Sequence, residues 1–347
     1  MRAVRHQGHG GPEILRAVEL PDPEPGPGEV LVAVRAAAVN RLDLLQRRGP
    51  GLLPGFTLPH VPGMDIAGDI VAVGGGVHER RVGDRVLVNP ALHCGRCTAC
   101  RVGDDAWCAA LRVVGGNRPG GYAEFVVAPA ARTHRVPAHV GHVAAASLPT
   151  AYGMAWQGLV VRGGLRPGET LLVHGAGSGV SIAAVQLAQA LGARVVVTSG
   201  SRAKLDRMAD LGADVLIDHR TSDLAEQARA ATDGLGVDLV LDHVGPALFQ
   251  ASLHALRPRG RLVFCGDTTG TEATFDLPHA FHSGVTLLGA GSCGHADFSA
   301  MVAFCLAHGL APVVDTAYPL ADAARAHRRL ESGDAFGKVV LLPGGTS

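Results

Sequence analysis

Lysine is nearly missing from this chain of 347 residues, where Lys204 and Lys338 are the two it has. Net charge is missing as well: 31 Lys plus Arg stand against 31 Asp plus Glu, a balance that argues against a basic nucleic-acid footprint or an acidic tail. Charged residues make up 18% and hydrophobic ones 47%, which excludes an intrinsically disordered chain. No apolar run reaches about 18 residues, because Leu287–Leu310 is interrupted by Gly, His, Asp and Ser, so no membrane span is expected. The opening Met1–His6 lacks the apolar stretch of a secretory signal, and a cytoplasmic location is expected. The seven cysteines are an odd number, and a chain this long buries enough surface to need no disulfides. Glycine, by contrast, is abundant at 47 residues, about twice the usual share of roughly 7%, which calls for many tight turns.

The length suits two domains. Residues 1–130 read as short strands between Gly- and Pro-rich turns: Val30–Arg35, Ile66–Val73, Arg85–Val88 and Tyr122–Val127. That spacing suggests a closed or partly closed barrel. Near Pro149 the pattern changes. Strands Thr170–His174, Arg194–Thr198, Val215–Ile217, Leu239–Asp242, Leu262–Cys265 and Thr286–Gly289 alternate with helices at Val180–Leu191, Arg202–Leu211, Leu224–Thr232 and Ala247–Leu256. Such alternation implies a doubly wound parallel sheet, and hence an α/β fold. Amphipathic helices are expected over 297–310 and 320–332, with a last strand at Lys338–Leu342.

Between the first of these parallel strands and its helix lies Gly175-Ala176-Gly177-Ser178-Gly179-Val180-Ser181. Glycines there let a backbone approach a pyrophosphate, and a helix N-terminus supplies donors. The third glycine of the G-x-G-x-x-G pattern is Val180, so the string alone is weak and its βα context carries the reading. The next strand ends in Ser199-Gly200-Ser201-Arg202-Ala203-Lys204, with no carboxylate before Asp206. Hydroxyls and two cations suit a 2′-phosphate better than a bare 2′-hydroxyl, which favours NADPH over NADH. His219, after the third strand, is a candidate to stack on adenine.

Cys94, Cys97, Cys100 and Cys108 form C-x2-C-x2-C-x7-C. Four thiolates in one short loop close a tetrahedron around Zn²⁺ with no position left for substrate, so one structural zinc is expected, with an iron–sulfur cluster as the chemical rival. Cys265, Cys293 and Cys305 lie on apolar or Gly-rich segments and read as packing residues.

A barrel, then a doubly wound half, with a four-cysteine lobe in the barrel, resembles the medium-chain dehydrogenase/reductase superfamily. The carriers are Pro62-Gly63-Met64-Asp65-Ile66-Ala67-Gly68, Val82-Gly83-Asp84-Arg85-Val86, Gly121-Tyr122-Ala123-Glu124-Phe125, Leu148-Pro149-Thr150-Ala151-Tyr152 and Gly337-Lys338-Val339-Val340. The resemblance implies a GroES-like β-barrel domain over 1–149 and 290–347 and a Rossmann domain over 150–289. It also implies Asn40, Thr150, Val244, Cys265, Gly266 and Lys338 beside the cofactor, together with the Gly175–Val180 turn. Two departures stand out. Zinc-dependent alcohol dehydrogenases of the superfamily carry a cysteine ligand where Asn40 stands and Gly-His-Glu where Gly63-Met64-Asp65 stands. Asn and Met are poor zinc ligands, so the catalytic metal is expected to be absent while the structural lobe is kept. Asn40-Arg41-Leu42-Asp43 is similar to a segment of the quinone-oxidoreductase-like branch.

Without a metal to polarise an alcohol, the expected reaction is hydride transfer from NADPH to an enone β-carbon or a quinone. Asn40 is the candidate donor near the nicotinamide, Asp43 its orienter, Thr150 a cofactor contact and Tyr152 a candidate proton donor. Asp65 has an alternative role in bracing the barrel. The other readings are a zinc-dependent alcohol dehydrogenase, a reductase of an enoyl thioester or imine, and a non-catalytic module binding NADPH or nucleic acid. The partner is expected to be a small-molecule substrate. A homodimer is expected through the apolar strand Val285–Gly289, as in the superfamily.

Overall fold

A computed structural model describes residues 1–49 and 53–344. The chain divides into two compact units: Met1–Thr150 with Gly294–Val302 and Ala311–Ser347, and Ala151–Cys293 with Ala303–Leu310.

The first unit is built around one long strand, Glu29–Ala38. It pairs antiparallel with Asp65–Val73 along its length, with Phe125–Pro129 at its start and with Lys338–Leu342 at its end. The sheet continues through Arg85–Val88 to Thr133–Arg135 on one side and through Val314–Pro319 on the other. Its inward side chains, including Val30, Val32, Ile66, Ile70, Val86, Val126, Val339 and Leu341, form one buried cluster. Burial alternates at the start of Glu29–Ala38 and becomes continuous over Ala36–Ala38, past an irregularity in its register with Asp65–Val73. Register then does chemical work: Ala38 faces Asp65 on one neighbour and Val340 on the other. Asn40, two residues on, is thereby brought toward Lys338. The expected strand at Tyr122 starts instead at Phe125. The backbone N–H groups of Gly120, Gly121 and Tyr122 are already given to Val61, Gly63 and Pro62.

The second unit is a six-stranded parallel sheet. Its strands are β1 (Thr170–His174), β2 (Arg194–Ser199), β3 (Val215–Asp218), β4 (Val237–Asp242), β5 (Leu256–Phe264) and β6 (Thr286–Gly289). In space they run β3-β2-β1-β4-β5-β6. The order reverses between β1 and β4, and in open α/β sheets a ligand crevice forms at such a switch point, beyond the carboxyl ends of the strands. The helices α1 (Gly179–Ala190), α2 (Arg202–Asp210), α3 (Leu224–Ala230), α4 (Pro246–Ala255) and α5 (Leu277–Ser283) connect them. β1 is buried at every position, which is why it reads as a continuous apolar run rather than an alternating one. Leu172, Val196, Ile217, Val240, Leu262, Phe249 and Leu253 make the core on one face. The expected C-terminal helices are His295–Ala307 and Ala323–Glu331, the latter preceded by a 3₁₀ turn at Leu320–Asp322. Among the described residues no helix is long and apolar enough to cross a membrane.

Candidate active site

In the first unit, sheet register and one helix start assemble a buried polar knot. Lys338 Nζ donates to Asn40 Oδ1 at 2.6 Å and to Asp65 Oδ2 at 3.0 Å. The other Asp65 oxygen accepts from the backbone N–H of Thr150 at 2.9 Å and from its hydroxyl at 2.5 Å. All of Asn40, Asp65 and Lys338 are buried. Burying a charge this deeply is tolerable only with its partner at hand, and here ammonium and carboxylate supply each other. Asn40 Nδ2 donates to Ala38 O at 3.3 Å.

Asn40 also caps the helix Arg41–Arg48, and Asp43 reaches back to accept its backbone N–H at 2.8 Å. The second Asp43 oxygen accepts from Gly63 N at 3.0 Å. Burial pushes the Asp43 carboxyl up to about 7, against the pull of those two N–H donors. Nearby, the Tyr122 hydroxyl lies 3.0 Å from His327 Nε2. Neither Tyr122 nor His327 was legible as part of this network, because a tyrosine in an apolar strand pattern carries no signal of its own. Met64, where the superfamily's zinc enzymes have histidine, is buried and offers a thioether.

The second unit carries the glycine turn at the carboxyl end of β1. Gly175 and Gly177 take φ of 70° and 99°, in the left-handed region that glycine enters without strain. Ser178 caps α1 through a hydrogen bond from Ser181 N at 3.0 Å. Ser181 donates its hydroxyl to His174 O at 2.7 Å. Its hydroxyl also meets His243 Nε2 at 2.8 Å. His243 Nε2 in turn lies 2.9 Å from His174 O and 3.2 Å from Ser178 Oγ. This imidazole arrives from the end of β4, across the switch point, and lies so close to Gly175 that a Cβ there would be 3.0 Å from the ring. A left-handed cradle at a helix N-terminus fits a pyrophosphate, with Gly175, Ala176, Gly177, Ser178, Gly179 and Val180 lining it.

Neighbouring residues are fixed in place by the backbone. Asp242 Oδ1 accepts from Val244 N at 2.7 Å and Gly245 N at 2.9 Å. Cys265 N donates to Asp242 O at 2.8 Å, and burial pushes its thiol up to about 12. A Cβ on Gly266 would lie 2.7 Å from His243 O, so this residue sits against the chain at the β4 end. At the end of β2, Ser199 Oγ accepts from Ser201 N at 3.1 Å. Arg202 is exposed and paired with Asp206 one helical turn on, at 2.9 Å. Lys204 follows on the same first turn of α2. His219 Nδ1 meets Thr198 Oγ1 at 3.1 Å, and burial lowers its pKa. Tyr152 is also in this unit, buried, with its hydroxyl donated to Gln186. Burial raises its pKa, so it holds its proton firmly.

The four cysteines come together as the spacing requires: the Sγ atoms of Cys94, Cys97, Cys100 and Cys108 all lie within 4.8 Å of one another. Tetrahedral bonds of about 2.3 Å place sulfurs roughly 3.8 Å apart. Backbone N–H groups of Cys100 and Ala109 bring the Cys97 thiol down to about 6, whereas burial and the neighbouring sulfurs drive Cys100 up to about 12. Four acids cannot all ionise at such range by themselves; a divalent cation removes the conflict.

Both units are similar to known proteins. A family model described as "Alcohol dehydrogenase GroES-like domain" matches residues 26–138, and one described as "Zinc-binding dehydrogenase" matches residues 179–307. The chain is 31% identical to an acryloyl-coenzyme A reductase of Metallosphaera sedula, over 98% of this chain and 99% of that one. It is 32% identical to an NAD-dependent alcohol dehydrogenase of Saccharolobus solfataricus, over 99% of this chain and 100% of that one. A crystal structure of an NAD-dependent alcohol dehydrogenase superposes with a TM-score of 0.94 at 42% identity, over 99% of both chains.

Proposed function

The chain belongs to the medium-chain dehydrogenase/reductase superfamily, and from that premise we propose that it is an NADPH-dependent reductase of activated double bonds or quinones that works without a catalytic zinc. The observation that carries this reading is the donor set of the knot. Asn40 offers an amide oxygen already engaged by Lys338, and Met64 a thioether, neither of which suits a borderline-soft Zn²⁺. NADPH, when bound, supplies the hydride.

The chain's own residues do the rest. Lys338 and Asn40 present N–H donors to the substrate oxygen as it gains charge, and preorganised donors in a dry site act most strongly there. Asp65 and Thr150 hold Lys338 in place, and Asp43 holds the Asn40 backbone. Tyr152, buried with its hydroxyl on Gln186, keeps its proton, which leaves water or another nearby side chain as the proton source. The turn Gly175–Val180 holds the pyrophosphate, with Val244, Cys265 and Gly266 alongside. The carboxylate-free end of β2, with Ser199, Ser201, Arg202 and Lys204, favours the 2′-phosphate, and His219 flanks the adenine. One structural zinc sits on Cys94, Cys97, Cys100 and Cys108. Reduced metal-binding thiols suit a cytoplasmic enzyme.

A second reading, reduction of an enoyl thioester, is favoured by the similarity to acryloyl-coenzyme A reductase. The assembly is proposed as a homodimer. β6 pairs only with β5 among the described strands, and Leu277 and Phe281 on α5 are 65% and 67% exposed. Light scattering at the mass of one chain would refute the dimer.

NADPH oxidation followed against an enone, an enoyl thioester, a quinone and a ketone, with NADP⁺ reduction by a saturated alcohol in parallel, tests the function. Turnover on one of the first three is expected. Efficient alcohol oxidation with none of them would overturn the proposal.

A further inference from the structure

We infer that Arg220 is the cation that recognises the 2′-phosphate of NADPH; this rests on the NADPH reading above and names the residue that sets it. Arg220 lies outside the β2–α2 segment where such a residue is usually sought. Parallel pairing of β2 with β3 sets Ser199 opposite Asp218, so Gly200 and, two residues past Asp218, Arg220 leave the sheet at the same end. The Arg220 side chain lies across the Gly200 turn. A Cβ at position 200 would stand 3.1 Å from Arg220 Cγ and 3.2 Å from Cδ, and nearer still to Nε. Glycine at 200 is what makes room for it.

Three observations separate Arg220 from the other charges at this corner. Its guanidinium is exposed and, among the described residues, has no carboxylate within ion-pair distance, whereas Arg202 is paired with Asp206. The acid nearest the ribose end, Asp218, turns its carboxylate to the Arg220 backbone N–H at 3.0 Å, which leaves the guanidinium to an outside anion. The preceding residue, His219, is pinned to Thr198, so the direction in which residue 220 leaves the strand is fixed. The Gly200 turn that Arg220 crosses is flanked in the chain by Ser199 and Ser201, and the Ser201 hydroxyl makes no helix-cap bond. A planar guanidinium fork outside any ion pair, beside a serine-flanked turn, suits a phosphate dianion.

Dissociation constants measured by nicotinamide fluorescence and calorimetry test this without any substrate. The wild-type chain should bind NADPH more tightly than NADH, and adenosine 2′,5′-bisphosphate more tightly than adenosine 5′-monophosphate. Arg220→Ala should weaken NADPH and the bisphosphate by roughly 10–100-fold, NADH by less than twofold. Arg220→Lys should restore part of the loss, and Arg202→Ala should lose less than Arg220→Ala. Gly200→Val, which displaces the Arg220 stem, should reproduce part of the effect. If Arg220→Ala keeps the wild-type preference, the inference falls and the NADPH reading stands. A wild-type chain with no preference for the 2′-phosphate overturns both.

Discussion

The two polar centres of the first unit are built on opposite terms. The cysteine lobe draws its ligands from 15 consecutive residues and holds them with short-range N–H···S bonds such as Cys97 N to Cys94 Sγ at 3.3 Å. The knot of Asn40, Asp65, Thr150 and Lys338 spans up to 298 positions, and only sheet register brings its members together. The lobe gathers four thiols at a range that a divalent cation would join. The knot carries its own cation and carboxylate and is complete as it stands. Where the superfamily's zinc dehydrogenases put a metal-bound cysteine and histidine, this chain has an amide tied to an ammonium. One unit thus sets a cysteine cluster fit for a metal apart from a knot whose charges pair with each other.

Four substitutions sharpen this contrast, the largest effect first. Lys338→Met strands the Asp65 carboxylate in the interior and should cost about 3–5 kcal/mol, read as a lowered denaturation midpoint. The loss should be larger than for the double replacement Lys338→Met with Asp65→Leu, which removes both charges.

Cys97→Ser, or chelation of the wild-type protein, should cost about 2 kcal/mol or more with loss of bound zinc. Activity per folded molecule should change much less than after Asn40→Ala. A collapse of activity that tracked zinc removal in folded protein would place the metal at the chemistry.

Asp43 supplies a pH test. Its carboxyl stands near 7 in the folded chain against about 3.9 unfolded, so between those values the folded state binds the extra proton. The stability from this group is fully present below about pH 4 and is lost as pH rises through about 7. Asp43→Asn, which keeps an acceptor oxygen, should therefore gain on the wild type in thermal midpoint between pH 5 and pH 8. A difference constant across that range contradicts the burial argument.

Ser181→Ala removes the hydroxyl that joins His174 O to His243 and should cost about 1 kcal/mol. NADPH and NADH should weaken together, since the pyrophosphate turn is common to both.

What could be read from the sequence follows the same divide. The cysteine lobe, the glycine turn and the alternation of strands and helices are local, so spacing and periodicity expose them. Ser181 shows how such reading stops short. In the string it is one more small residue after Val180, yet its hydroxyl bridges the turn to His243, a residue 62 positions on. The Asp65–Lys338 pair, the Tyr122–His327 contact and the placement of Arg220 over Gly200 depend on which strands lie side by side. No local pattern encodes that. Burial also decides what an isolated letter cannot: Asp43 and Asp65 are both buried acids, yet Asp65 answers an ammonium, whereas Asp43 takes two backbone N–H groups and the Tyr122 hydroxyl.

A single structural metal beside zinc-free chemistry requires a definite metal content. Elemental analysis of a catalytically active preparation, with protein quantified by amino-acid analysis, addresses it most directly. One zinc per chain, lost in Cys97→Ser, is the predicted result; two zincs per chain, with the second released as activity disappears, would contradict it.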